Sequence, residues 1–265
     1  MDSPGQITAV NVRVVFIGSI FSAVVLRFTF IRMINELKAA ALAAGADLVG
    51  VADFEPFRTD GQTLSAEFTR SFTRAISLAV RLDDAVIDAI VQAPTADYAR
   101  HYREVNARLD RASGRLADWI QGRGYAAAAL PASAIIDENN LLGAISHRAV
   151  ARMAGIGWQG KSLLIVSPQF GPRIRLTTLL TNLPCRVDAP LKNRCGSCAA
   201  CTKACPAAAI KNARTADRYA TRAEALHLER CARQTMRFKQ QPEIGASICG
   251  VCVAVCPFGK RKRLG

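Results

Sequence analysis

The chain has 265 residues, enough for one large or two modest domains with a proper core. Lys and Arg number 35 against 21 Asp and Glu, a formal charge of +14 that permits a polyanionic partner such as RNA without requiring one. Nine cysteines at metal-type spacing exclude a secreted disulfide scaffold and call for reduced thiols, hence a cytoplasmic location.

Residues 14–26 form an apolar run closed by Arg27. The run is too short for a membrane span, so no membrane partner is expected. It also lacks a twin-arginine and a clean cleavage site. Three readings of residues 1–32 stay open: a segment ahead of a true start at Met33, a membrane tether, or an added strand. Residues 34–45 read as an opening helix stopped by Gly45. Strands are expected over 47–52 and 75–80, with an irregular stretch between them broken by Pro56 and Gly61. A short helix over 84–91 ends before Pro94. Tyr98, Tyr102, Val105, Leu109, Ala112, Leu116 and Trp119 recur at steps of four and three, one face of a long amphipathic helix. A small-residue strand comes next over 125–130, then a helix over 141–154, and strands over 162–167 and 173–180. Strands alternating with helices argue an α/β or α+β domain of about 150 residues.

Cysteines dominate the remainder of the chain. Cys195, Cys198, Cys201 and Cys205-Pro206 read C-x2-C-x2-C-x3-C-P, the bacterial ferredoxin spacing for a [4Fe–4S] cubane. In that pattern the fourth cysteine serves a second cluster. Cys249, Cys252 and Cys256-Pro257 repeat the motif, with Ala246 where its first cysteine would stand. Cys231 is the one cysteine between the two runs. One cluster then takes Cys195, Cys198, Cys201 and Cys256, and the other takes Cys205, Cys231, Cys249 and Cys252. Zinc knuckles also use C-x2-C pairs, but not three cysteines at two-residue gaps followed by Cys-Pro. Cys185 is left over and reads as a small buried apolar residue.

Residues 155–162 satisfy G-x-x-x-x-G-K-S. A phosphate-binding loop needs a strand before it and a helix after it. Here the order is reversed, so nucleotide binding is not expected.

The order Ala154-Gly-Ile-Gly-Trp-Gln-Gly-Lys161, Leu179-Leu-Thr-Asn-Leu-Pro184 and the two cysteine motifs resembles the epoxyqueuosine reductase-like family. The likeness covers roughly 34–259 and is strong from 154 onward. It implies an α+β fold: an α/β-like, nitroreductase-related N-terminal domain over 33–185 that holds cobalamin and substrate. A double [4Fe–4S] ferredoxin-like domain over 186–265 completes it. The resemblance also implies an oxidoreductase that relays electrons from a low-potential ferredoxin or flavodoxin through two clusters to cobalamin. The tRNA-modifying relatives continue into a helical-repeat segment, whereas eight residues follow Pro257 here, so a tRNA substrate is in doubt and a truncated side branch is suggested. The family's proton-donating aspartate falls near Leu141 by spacing. The nearest candidate is Asp137, with His147 as understudy. Gly155, Gly157 and Gly160 would let a flat macrocycle approach, Trp158 would cover its edge, and Lys161 or Arg175 would meet its polar groups. The competing reading is a two-cluster electron-transfer protein with no substrate of its own.

Overall fold

The structure, a computed structural model, describes residues 32–58, 64–134 and 143–260. The apolar run over 14–26 lies outside them. Helix α1 covers 32–44 and stops at Gly45, whose φ of +114° suits glycine. Four strands build the main sheet: β1 (Leu48–Asp53), β2 (Arg74–Arg81), β3 (Ala127–Leu130) and, later, β6 (Ile174–Thr181). Their order is β1-β2-β6-β3, antiparallel throughout. Helix and sheet are therefore mixed as expected, but the α/β-like part of the expectation fails: no parallel crossover joins these strands. The alternation misleads because it records chain order, not pairing direction.

The stretch between β1 and β2 carries a 3-10 turn at Glu55–Phe57 and a short helix α2 (Ala66–Thr69). Helix α3 (Asp84–Asp88) precedes the long α4 (Ala96–Gln121), capped by Thr95. Both sheet faces are covered, which explains the six consecutive buried residues in the middle of β2. Ile76, Leu78, Val80 and Leu179 pack with Leu37 of α1 and Leu109, Ala112 and Leu116 of α4. On the other face Ala75, Ala79 and Leu180 meet Val150, Ala151 and Ala154 from α5 (His147–Met153) and its cap. A Cβ on Gly50 would stand 2.0 Å from the Ala154 carbonyl oxygen, so glycine lets the end of α5 lie directly on β1.

Two expectations need correction. Helix α5 starts at His147, not 141, because Ser146 caps it by accepting from the Ala149 amide. The strand expected over 162–167 shrinks to β5 (Ile165–Val166), paired in a hairpin with β4 (Trp158–Gln159). The Gly160 carbonyl accepts from Leu163, and the Gly160 amide donates to Leu164. That tight turn puts Leu163 at φ 61°. Apolar character alone did not separate this turn from a strand.

Short helices make up the C-terminal part: α6 (Ala200–Ala204), α7 (Arg222–Ala225), α9 (Val251–Ala254) and α10 (Pro257–Lys260), with α8 (Leu228–Lys239) the longest. Phe238, Ile244, Ile248, Val251 and Val253 join the core under α4. Among the described residues no helix is long and apolar enough to cross a membrane.

Candidate metal centre

The cysteine motifs meet beside the β4–β5 hairpin. Asn193 turns the chain into the first motif: its Oδ1 accepts from the Cys195 amide at 2.8 Å, and its Nδ2 donates to the Gln159 carbonyl at 2.7 Å. The Gln159 side chain accepts from the Tyr219 amide at 3.0 Å, so one hairpin residue orders both flanks of the motif. A Cβ on Gly160 would lie 3.8 Å from Cys195 Sγ. The second motif is seated differently. Gly250, at φ 82°, lies against Ile90 and Tyr98, and a side chain there would meet both. Beyond Cys256, Gly259 packs against Gly171 and the Arg173 side chain. Arg173, only 2% exposed, is held by Asp84 at 3.0 Å and by Asp88.

The thiols fall into two sets. Burial raises the Cys201 thiol, and Cys195 and Cys198 raise it further. Burial pushes Cys256 up to about 11, with Cys195 and Cys201 adding to it. Cys256 thus lies within electrostatic reach of the first motif although 51 positions separate it from Cys205. Cys231 is raised by burial and then by Cys205. Cys249 is raised by burial and, among the thiols, by Cys231 and Cys205. Cys252 is raised far more, by burial and then by Cys249, Cys231, Cys201 and Cys205. Cys201, Cys231, Cys249, Cys252 and Cys256 thus resist ionising alone, the environment in which a metal supplies the missing positive charge. Among the described residues no three His, Cys, Asp or Glu side chains converge on a single-ion site. A mononuclear zinc site needs four ligands within about 2.3 Å of one ion, whereas a cubane spreads its thiolates around four irons. Cys185 stands apart, fully buried in the sheet core, its thiol pushed up to about 11 by burial.

The residues expected to cradle a macrocycle are engaged otherwise. A Cβ on Gly155 would lie 2.7 Å from the Ala189 carbonyl oxygen, and one on Gly157 2.4 Å from that of Val166. Their close approach is to this chain's own backbone. Trp158 is fully buried with its ring edge-on to Phe258 at 4.8 Å. Lys161 is buried beneath the first motif, donating to the Cys198 carbonyl and to Asn212 Oδ1 at 2.8 Å each. Arg175 donates to Asn106 and Tyr102 and lies over the Tyr102 ring at 4.4 Å. His147 is half-buried. Its Nε2 donates to the Pro131 carbonyl at 3.0 Å, which leaves Nδ1 to accept from the Thr178 hydroxyl at 2.8 Å. Burial lowers its pKa, so the ring is neutral and both nitrogens are engaged; it holds no free proton to donate. Asp137 lies outside the described residues.

Sequence reasoning missed Leu163. Its left-handed backbone turns its side chain into a small core with Ala209, Ile210 and Tyr219, against Cys201, Cys205, Cys231 and Cys252. Arg148 was missed as well. Its Nη1 donates to the Leu163 carbonyl at 3.3 Å, and it lines a cavity of about 120 Å3 with Arg152, Arg218 and Arg222. Arg148 is exposed to water at this cavity, with part of its side chain against protein. That desolvation, then the like charges of Arg222 and Arg175, lower its pKa.

Comparison with known proteins identifies the cysteine-bearing segment. Residues 194–259 match the family model of the 4Fe-4S double cluster binding domain. That segment holds eight of the nine cysteines. Over a longer stretch the chain is similar to epoxyqueuosine reductases. That of Bacillus subtilis (strain 168) is 35% identical over 128 residues, 45% of this chain and 31% of the relative. That of Gloeobacter violaceus is 30% identical over 174 residues, 64% of this chain and 51% of the relative. The chain thus spans about a third to a half of the curated relatives it matches. Among solved structures, a catabolic reductive dehalogenase in complex with 3-bromo-4-hydroxybenzoic acid shares the fold at TM-score 0.67 and 22% identity. The match covers 86% of this chain and 32% of that one. An epoxyqueuosine reductase crystal structure shares it at TM-score 0.60 and 21% identity, over 89% of this chain and 68% of that one.

Proposed function

We propose that the chain is an iron–sulfur reductase of the epoxyqueuosine reductase type, drawing electrons from a ferredoxin or flavodoxin in the cytoplasm. One cluster is held by Cys195, Cys198, Cys201 and Cys256, the other by Cys205, Cys231, Cys249 and Cys252. The observation that carries the cluster reading is the match of residues 194–259 to the 4Fe-4S double cluster binding domain; the crossed ligand sets draw support from the influence of Cys195 and Cys201 on Cys256 and of Cys205 on Cys231 and Cys249. When bound, such clusters supply single electrons. The chain's own part is to hold them apart from water. Leu163 packs against both thiol sets, and the α4 core seals the second motif.

Residues 33–185 form the substrate-bearing domain in this reading and 186–265 the cluster domain. A nitroreductase-related origin for the first, and a cobalamin against it, rest on a shared fold. One solved neighbour is described as a reductive dehalogenase suggesting B12-dependent dehalogenation. The glycine loop does not fit the corrinoid, so its bed lies elsewhere and no step is assigned to it. Asp137 keeps the role of proton donor; His147 does not. The four-arginine cavity favours an anionic substrate. Its volume suits one phosphate-sized group, and another solved neighbour carries an epoxyqueuosine-modified tRNA stem loop.

Anaerobic reconstitution should load about eight irons per chain with a [4Fe–4S] absorption and EPR signature. Zinc without iron would overturn the cluster reading. A second reading, a pure electron-transfer protein, draws on the engaged glycine loop. Cob(II)alamin whose spectrum is unchanged by the reduced, loaded protein would favour it.

A further inference from the structure

Lys161 poses an electrostatic problem. Its side chain is 3% exposed, and lysine is almost never this buried unless an anion accompanies it. Both its acceptors, the Cys198 carbonyl and Asn212 Oδ1, are neutral. Among the described residues it forms no ion pair with a carboxylate. The groups around it able to carry negative charge are thiols. It acts on Cys201, and the turn residue before it lies against Cys195.

We infer that Lys161 is the fixed counter-charge of the cluster held by Cys195, Cys198, Cys201 and Cys256, raising that cluster's reduction potential. The inference rests on the ligand sets proposed above. A four-thiolate cubane is anionic, and reduction adds one more negative charge. A desolvated ammonium beside it stabilises the reduced form more than the oxidised one. The charge is also immobile, anchored by two hydrogen bonds and by the β4–β5 turn, so it needs no reorganisation when the electron arrives. Among the described residues the other thiol set has no buried lysine or arginine of this kind. Arg148 acts on Cys231 but is exposed to water, which screens it. The two clusters would thus differ in potential through one buried side chain, giving electrons a preferred resting place. Lys161 is a positioning residue for charge.

The test is an anaerobic EPR redox titration of the loaded full chain. Lys161→Met should keep about eight irons. One midpoint should fall so that its reduction equilibrium drops tenfold or more, about 59 mV for a one-electron couple, while the other stays put. Asn212→Ala, which removes an anchor but keeps the ammonium, should shift that midpoint by well under half as much. Unmoved potentials in Lys161→Met overturn the inference, and so does an equal shift in Asn212→Ala. Should Lys161→Met lose a cluster, Lys161→Arg decides: a retained cluster at the wild-type potential supports the charge, and a lost or shifted one overturns it. A wild-type chain that loads no iron instead overturns the cluster reading itself.

Discussion

The sheet region and the cysteine region of this molecule are ordered by different forces. β2 and β6 are buried along nearly their whole length, with helices on both faces. In contrast, α6 and α10 bury no residue fully, and α8 buries one of its twelve, Phe238. Helices of four or five residues are not stable alone. The cysteine region has a small core of its own around Leu163 and lends a few apolar residues to the core under α4. In the proposed reading, ligation supplies the rest of its order.

The largest effect should come from removing iron. Chelation under anaerobic conditions should speed proteolysis within 195–249 by an order of magnitude or more, while a fragment containing the sheet survives, because metal-binding free energy is folding free energy. Uniform resistance of both regions would erase the contrast. Next is ligation within the cysteine region. Cys231→Ala should fall from about eight irons to about four, whereas Cys185→Ala should keep about eight, as read by iron and sulfide analysis. Equal loading of both variants would break the assignment of Cys231.

In the sheet region, Leu179→Ala should cost about 2–5 kcal/mol in denaturant unfolding of the loaded protein, because Leu179 is fully buried between β2 and β3. The hairpin joins the two regions. Gly157→Ala would force a methyl against the Val166 carbonyl and should cost about 1–3 kcal/mol, with partial loss of iron. A stability loss without iron loss would show that the hairpin does not support the clusters. The smallest effect is pH-dependent. His147 has a lowered pKa when folded, so the unfolded chain takes its proton first as pH falls below the ordinary value of 6.5. Its contribution is complete above that value and is lost progressively below it. His147→Gln should flatten the stability profile between about pH 7 and 5, and an unchanged profile would remove His147 from the account.

Much of the fold was legible in one dimension. The core face of α4 was visible as a step of four and three, since helical geometry alone sets that period. β1, β2 and β6 were found within a residue or two because their apolar runs are bounded by turn signals. The double-cluster domain was legible because cubane spacing is a chemical constraint on a short stretch of chain. The errors share a cause. Strand direction, the late start of α5 and the turn at Leu163 depend on partners far along the chain, which local pattern does not encode.

The sequence by itself determined which residues could be helix, which could be core, and which thiols could be ligands, because periodicity and ligand spacing are local properties. Tertiary structure alone decided what the glycine loop is for. Gly155, Gly157 and Trp158 face this chain's own backbone and Phe258, and Lys161 lies buried under the first cysteine motif. A glycine's bare face and a lysine's charge each admit either a ligand or a neighbour. Only the packing of distant segments determines which one arrives.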